Sequence, residues 1–273
     1  MFRQSKLKLA LAGLCCWASL AFPGEPQPDG TMPLHQASYA GDAAEVRRLI
    51  SAGADPRAAN LFGATPMQLA ASRGDAAVIR LLLDAGVNAD SPNDEGQTAL
   101  MAVVRTGRLD AAQLLLKRGA NVHARESWGG QTALMWAAAQ GQPAMIRLLL
   151  KAGARVDDRS TVRDWQRRVT AEGRPKDMNR GGLTALLYAA REGCIDCLKA
   201  LLDKGADIDL ADPDGGTALI LALLNYNWDA AKYLIGAGAD VNLWDIYGQT
   251  PLYVAVDMNT LPVGRRVELP SMD

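Results

Sequence analysis

The sequence predicts an all-α solenoid, a stack of about six helix–turn–helix units followed by a partial seventh. Three observations predict it. A Gly-Ala pair closes a leucine-rich run at Gly53-Ala54, Gly119-Ala120, Gly153-Ala154, Gly205-Ala206 and Gly238-Ala239, with a variant at Gly86-Val87, and successive glycines are 33, 33, 34, 52 and 33 residues apart. A second marker keeps the same interval: Met32-Pro-Leu, Thr65-Pro-Met, Thr98-Ala-Leu, Thr132-Ala-Leu, Thr184-Ala-Leu, Thr217-Ala-Leu and Thr250-Pro-Leu. Between the markers, apolar residues recur at helical spacing. Units of this kind rest mainly on their neighbours, so the stack offers an extended surface rather than a catalytic pocket.

The first residues stand outside the repeats. Arg3, Lys6 and Lys8 precede an apolar run from Leu9 to Phe22, and Ser19-Leu-Ala21 supplies the small residues that a signal peptidase needs. That order is the order of a secretory signal, so residues 1–21 are expected to be removed near Ala21 and the chain exported, periplasmic or secreted. The run is shorter than the roughly 20 residues of a membrane span; a buried or anchoring helix is the alternative. Leu14 and Cys15 occupy positions where lipid attachment would want a small residue, which argues against a lipoprotein. Cleavage leaves Cys194 and Cys197 as the mature cysteines, in an oxidising compartment where they can pair. Residues 22–31, rich in Pro and Gly, read as an extended linker.

The unit from Asn60 to Ala89 displays the internal plan. Gly63 permits a turn. Thr65 caps a first helix that Pro66 opens, and Leu69, Ala70 and Ala71 continue it to a stop at Gly74. Asp75 caps a second helix with an apolar stripe of Val78, Ile79, Leu81, Leu82 and Leu83, ended by Gly86. Elsewhere Asp42 with Glu45 has the spacing of a reciprocal cap, Asn227 is a suitable N-cap, and Pro143 falls at a first helical position.

These residues resemble the ankyrin repeat family. Its Thr-Pro-Leu-His-x-Ala-Ala phrase stands here as Met32-Pro-Leu-His-Gln-Ala-Ser38 and Thr65-Pro-Met-Gln-Leu-Ala-Ala71. Its Gly-Ala-Asp-Val-Asn phrase stands as Gly238-Ala-Asp-Val-Asn242, and nearly so as Gly119-Ala-Asn-Val-His123. The resemblance covers residues 32–259. It implies units with projecting β-turn fingers, protein binding as the usual role, and a structural part for His35 in hydrogen bonding between repeats. Two departures stand out. The 52-residue step means about 19 extra residues, an insertion around 157–181 that by register extends the finger between the fourth and fifth units. From Ser160 to Arg180 it holds six basic and three acidic residues with Trp165, and reads either as a loop without function or as a basic clamp anchored by that tryptophan. The seventh unit begins at Asp245 but runs into Pro262, Gly264 and Pro270 with no second leucine-rich helix. Residues 260–273 are expected to be an irregular tail, either a truncated repeat or a second insertion.

Chemistry is sparse. There are two histidines, and His123 has no ligand cluster around it, so no catalytic residue, no metal and no cofactor is expected. No phosphate loop or nucleophile elbow is present. Cys194-Ile-Asp-Cys197 is the one reactive candidate. By register Cys194 is an N-cap, where a thiol pKa falls, while Cys197 takes a core position. The pair reads as structural, thiol or disulfide, with a redox role as the alternative. A net charge of −1 offers no global field for nucleic acid or anionic lipid.

The positions the fold leaves free form the expected binding surface. Leu61, Phe62, Asp94, Glu95, Trp128, Ile246 and Tyr247 sit at finger tips, Arg73, Arg105, Gln140, Arg191, Glu192 and Asn225 on first helices, and Trp165 in the insertion. Trp136 and Tyr188 read as packing residues between units. The expectation is a monomeric, non-catalytic scaffold that binds a protein partner through its concave face, with neither nucleic acid nor membrane as partner. The rivals are a thiol-redox or sensor component of an enzyme, resting on Cys194 and Cys197 or on a segment beyond Asp273, and a chaperone-like periplasmic protein.

Overall fold

The computed structural model describes residues 28–163 and 181–260. The expected signal segment, most of the linker, Trp165 and the tail from 261 onward lie outside the described residues. Within them are thirteen helices. Six antiparallel pairs run in chain order: α1 (Pro33–Ala40) with α2 (Ala43–Ser51), α3 (Pro66–Arg73) with α4 (Ala76–Asp84), α5 (Ala99–Thr106) with α6 (Leu109–Lys117), α7 (Ala133–Ala139) with α8 (Pro143–Lys151), α9 (Ala185–Glu192) with α10 (Ile195–Leu202), and α11 (Ala218–Leu224) with α12 (Trp228–Gly236). A last helix, α13 (Pro251–Thr260), packs on α11. The odd-numbered first helices form one row and the even-numbered second helices another, each helix resting on its counterparts in adjacent units.

Helices this short are marginal alone, so caps and packing hold them. Thr65, Thr98, Thr132, Thr184 and Thr217 each accept a hydrogen bond from the backbone N–H three residues on. The Asp42 carboxylate accepts from Glu45 N at 3.0 Å, but the reciprocal half of that cap is missing, because Glu45 turns to Arg48 at 2.6 Å. Asn227 does not cap its own helix through its side chain either. Its Nδ2 reaches back one unit and donates to the carbonyls of Ala190 and Arg191, which satisfies the orphan acceptors at the end of α9.

The core lies between the two rows. Leu34, Met67, Leu100, Leu134, Leu186 and Leu219 repeat at one first-helix position and are all essentially inaccessible. Small residues three positions later, such as Ala37, Ala70, Ala137, Ala189 and Ala222, let neighbouring helices approach closely. From the second helices come Leu49, Leu82, Leu115, Leu149, Leu201 and Leu234, again buried. Each such side chain contributes about 1.5–3 kcal/mol by leaving water.

His35 has the structural role the resemblance implies. Its ring is fully buried. Nδ1 accepts from Met32 N, which leaves Nε2–H to donate to the carbonyls of Ala58 (3.0 Å) and Ala64 (3.1 Å) in the next unit. One unit on, Gln68 Nε2 does the same with Ser91 and Gln97.

Candidate interaction surface

The fingers are turns built around one acceptor. Asn60 Oδ1 accepts from the backbone N–H groups of Phe62 and Ala64, and Asn93 Oδ1 from those of Glu95 and Gln97. In later fingers an acidic residue does this work: Glu126 for Trp128, Gly129 and Gln131, Asp212 for Asp214 and Gly216, Asp245 for Tyr247 and Gln249. Burial pushes the carboxyls of Asp212 and Asp245 above the usual aspartate range, against the pull of these backbone bonds.

Neighbouring fingers join through single backbone bonds. Leu61 N donates to Asp29 O, Ser127 N to Glu95 O, Thr161 N to Gly129 O and Ile246 N to Asp214 O. Residues 28–31, at the end of the expected linker, thus already serve as the finger against which the second one rests. Close approach constrains composition here. At Gly215 (φ 80°), an added Cβ would stand 2.9 Å from the Asp245 backbone.

The described residues on either side of 164–180 belong to the fifth finger. Ser160 N donates to Leu183 O at 3.0 Å, and Leu183 N donates to Ser160 Oγ at 3.0 Å. These are the counterparts of the Asn60–Ala64 bonds. Val162 and Gly181 form an antiparallel bridge just beyond, closing the root. Arg125 Nη1 donates to the Arg159 carbonyl at 2.6 Å and Arg159 Nη1 to the Gly182 carbonyl at 3.1 Å, so the base of the insertion is tied to the preceding unit.

The expected site residues divide into two groups. Leu61 (78 %), Phe62 (75 %) and Trp128 (73 %) are widely exposed, and Ile246, Tyr247, Asp94, Glu95, Arg73, Arg105, Gln140 and Glu192 are also exposed. Asn225 is partly enclosed, with its amide donating to Leu221 O at 2.8 Å, so it points along its own helix. Arg191 is partly covered and pairs with Glu192 at 3.3 Å. Trp136 is half-buried and Tyr188 buried, as packing residues should be, and Tyr188 accepts a bond from Gln131 Nε2.

Several contacts escaped the sequence. The Arg73 guanidinium lies 5.4 Å from the centre of the Tyr39 ring, Arg105 lies 5.6 Å from that of Trp136, Arg191 5.1 Å from Tyr188, and Arg163 4.1 Å from Trp128. Tyr39 was not among the expected residues. It occupies the same first-helix position as Arg105 and Arg191, so register alone is a sufficient signal. Trp244, exposed beside the last finger, has no counterpart aromatic in other units and carries no such signal.

Cys194 and Cys197 are joined, with Sγ–Sγ 2.03 Å and Cα–Cα 5.2 Å. Cys194 Sγ accepts from Cys197 N at 3.2 Å in the cap position that Asp42 and Asp75 hold elsewhere, and Cys197 is fully buried. Among the described residues no group of His, Cys, Asp and Glu is placed to hold a metal, and no helix is long and apolar enough to cross a membrane.

A family model described as ankyrin repeats matches three times, over residues 34–126, 125–212 and 205–265. Among solved structures, the ankyrin repeat domain of human ASB11 superposes with TM-score 0.67 at 22 % identity, covering 82 % of this chain and 91 % of that one. The ankyrin repeat domain of Bcl-3, described as a unique member of the IkappaB protein family, superposes with TM-score 0.66 at 26 % identity, covering 85 % and 99 %. No curated protein sequence matches the chain.

Proposed function

This chain belongs to the ankyrin repeat family, whose domains mediate protein–protein interaction, and from that premise we propose that it is a non-catalytic scaffold binding one protein partner through its finger tips and first-helix row. The observation that carries the reading is the exposure of Leu61, Phe62 and Trp128 at finger tips, more than seven-tenths accessible with no core to fill. Large apolar and aromatic side chains in that state are what interface hot spots are made of. The stack is held by interlocking caps and cross-unit bonds before any partner arrives, so binding costs little ordering entropy.

The protein acts outside the cytoplasm, after removal of residues 1–21. The charged, apolar and small-residue order at its start supports this, as does a disulfide, which an oxidising compartment maintains. N-terminal sequencing of the exported form tests it, and a mature protein that still begins at Met1 would sink it. The cysteine pair is structural: Cys197 fills a core position and Cys194 caps α10. Turnover in a disulfide-reduction assay, abolished by Cys194→Ser, would overturn that assignment in favour of redox chemistry.

The binding reading is tested by capturing partners from the native exported fraction and repeating the capture with Trp128→Ala, Tyr247→Ala and Arg105→Ala combined. A partner identified with the natural protein should be lost with the triple variant. Unchanged affinity for every partner would refute the surface.

A further inference from the structure

The two ends of the stack differ. At the N-terminal end, α2 carries Arg48 at the position that Leu81, Leu114 and Leu148 hold in the next three units, where they pack against the core. Arg48 is exposed and paired with Glu45 at 2.6 Å. That is a polar cap of the kind a solenoid needs where its neighbours stop. The last helix has no such change. On α13, Leu252, Tyr253 and Val256 are 72 %, 56 % and 55 % exposed, whereas Leu100, Met101 and Val104, at the same positions of α5, are fully buried. Trp228, at the start of α12, adds an exposed ring beside them.

Pairing explains the contrast. Each of the other first helices has an antiparallel second helix on its inner side, and among the described residues α13 has none. Leu252, Ala255, Val256 and Asn259 stand at i, i+3, i+4 and i+7, the four corners of a hole that accepts a side chain from a facing helix. Three of them, with Trp228 as a wall, line a shallow hollow of about 520 Å³, which has room for a leucine side chain. What fills this face is helical, apolar and nearly uncharged, since α13 carries one charged residue, Asp257, and no cation.

α13 itself meets that description. Head-to-tail stacking does not, because it would press the charged Arg48–Glu45 end against hydrocarbon. The apolar end must meet its like, and a closed two-fold pair does this. A two-fold axis also sets α13 antiparallel to its copy, the direction a second helix takes in every other unit. The area agrees. Trp228, Leu252, Tyr253 and Val256 together expose roughly 500 Å². A standard homodimer interface buries about 800 Å² per copy, about two-thirds of it apolar.

We infer that two copies of this chain pair end to end through α13, about an axis between Ala255 and Val256. Leu252 of each copy lies opposite Asn259 of the other and seats in the hollow beside Trp228. Ile235 on α12 stays outside the pair. A monomer is what the sequence alone leads one to expect; the uncapped end speaks for a dimer. The pairing is independent of the protein-binding reading above, and it leaves the concave face free.

Sedimentation velocity of the processed protein tests the pair. Its mass should double between about 1 and 100 μM. Val256→Glu alters a side chain exposed in the single chain, so the helical circular dichroism should persist. Two carboxylates would then face each other near the axis, and the dimer Kd should rise at least about tenfold. Tyr39→Glu, at the capped end, should leave Kd unchanged. Under mild oxidation the Leu252→Cys, Asn259→Cys double variant should form a covalent dimer, and neither single variant should. A monomer at every concentration overturns the inference. Footprinting then tells whether Val256 is open, as for a face that a different protein covers, or shielded by residues 261–273. A dimer indifferent to Val256→Glu overturns the face, and single variants that cross-link as readily as the double one overturn the antiparallel register. The finger-tip surface fails separately: Trp128→Ala and Tyr247→Ala should abolish partner capture without changing the mass.

Discussion

Leu83 and Ile235 hold the same position in their second helices, α4 and α12, yet Leu83 is half-covered while Ile235 is 51 % exposed. Ile50, Leu116, Leu150 and Leu202, at the same position in other units, are also partly buried against the core. Val241 repeats the contrast: it is 42 % exposed where Ala89 and Val122 are 5 % and 7 %. The cause is the next second helix. Every interior unit has one to cover this flank, and among the described residues none follows α13. Around it Leu252, Tyr253 and Val256 are exposed as well. In a one-dimensional stack a residue's worth depends on how many neighbours its unit has, not on its place within the unit. The local sequence of the sixth unit is as helical as that of the second; only the packing differs.

The sixth unit departs in a second way. Two residues past the end of α11 at Leu224, Tyr226 lies in the left-handed region at φ 60°, where the five preceding units use Gly41, Gly74, Gly107, Gly141 and Gly193. A side chain there is strained. The Tyr226 ring packs edge-on to Trp228 at 6.5 Å between centroids, which returns part of that cost.

The largest test of this contrast is a pair of matched substitutions. Leu83→Asp places a charge in a half-buried interior site and should cost about 3 kcal/mol in urea unfolding. Ile235→Asp, at the same position of the sixth unit, should cost less than about 0.5 kcal/mol. Equal losses would mean that the flank of α12 is covered. Next in size is the inter-unit staple. Gln68→Leu leaves the Ser91 and Gln97 carbonyls without their donor and should cost about 1–3 kcal/mol. Hydrogen exchange should show the loss spreading to the adjoining third finger; loss confined to α3 would separate the units more than the geometry allows.

Tyr226→Gly sharpens the comparison in the opposite direction. Relief of left-handed strain, less the lost ring contact and the added chain entropy, should stabilise by up to about 1 kcal/mol. Gly193→Ala, at the interior counterpart, should destabilise, since φ is 71° there and Asn227 leaves no room for a Cβ. The smallest effect is electrostatic. Because burial raises the Asp212 carboxyl above its ordinary value, the folded state binds its proton more tightly, and stability falls as pH rises from that ordinary value through the raised one. Asp212→Asn retains the acceptor, as Asn60 and Asn93 do in earlier fingers, and should gain about 0.5 kcal/mol at neutral pH. The gain should vanish in acid, where the aspartate is itself neutral. A gain independent of pH would locate the effect elsewhere.

Much of this was legible in the chain because it is written locally. The threonine caps, Pro143 at the start of α8, the buried leucines and the Cys194 cap depend on residues a few positions apart or one period away, and helical geometry relates both kinds of position directly. Other expectations failed where a side chain had a choice of partner. Asn227 bonds the preceding unit instead of its own helix, and Glu45 prefers Arg48 to completing a cap.

By itself, then, the sequence determined the repeat, the all-α class, the places where helices start and stop and which tips carry apolar side chains. Those follow from a period and from local backbone chemistry. Only the tertiary structure decided that Arg73 meets Tyr39 and Arg105 meets Trp136, that one leucine-class position is covered in five units and open in the sixth, and that Tyr226 bends left-handed. Each of these depends on how adjacent units stack and on which rotamer the stacking leaves free, and neither property has a signature within a single repeat.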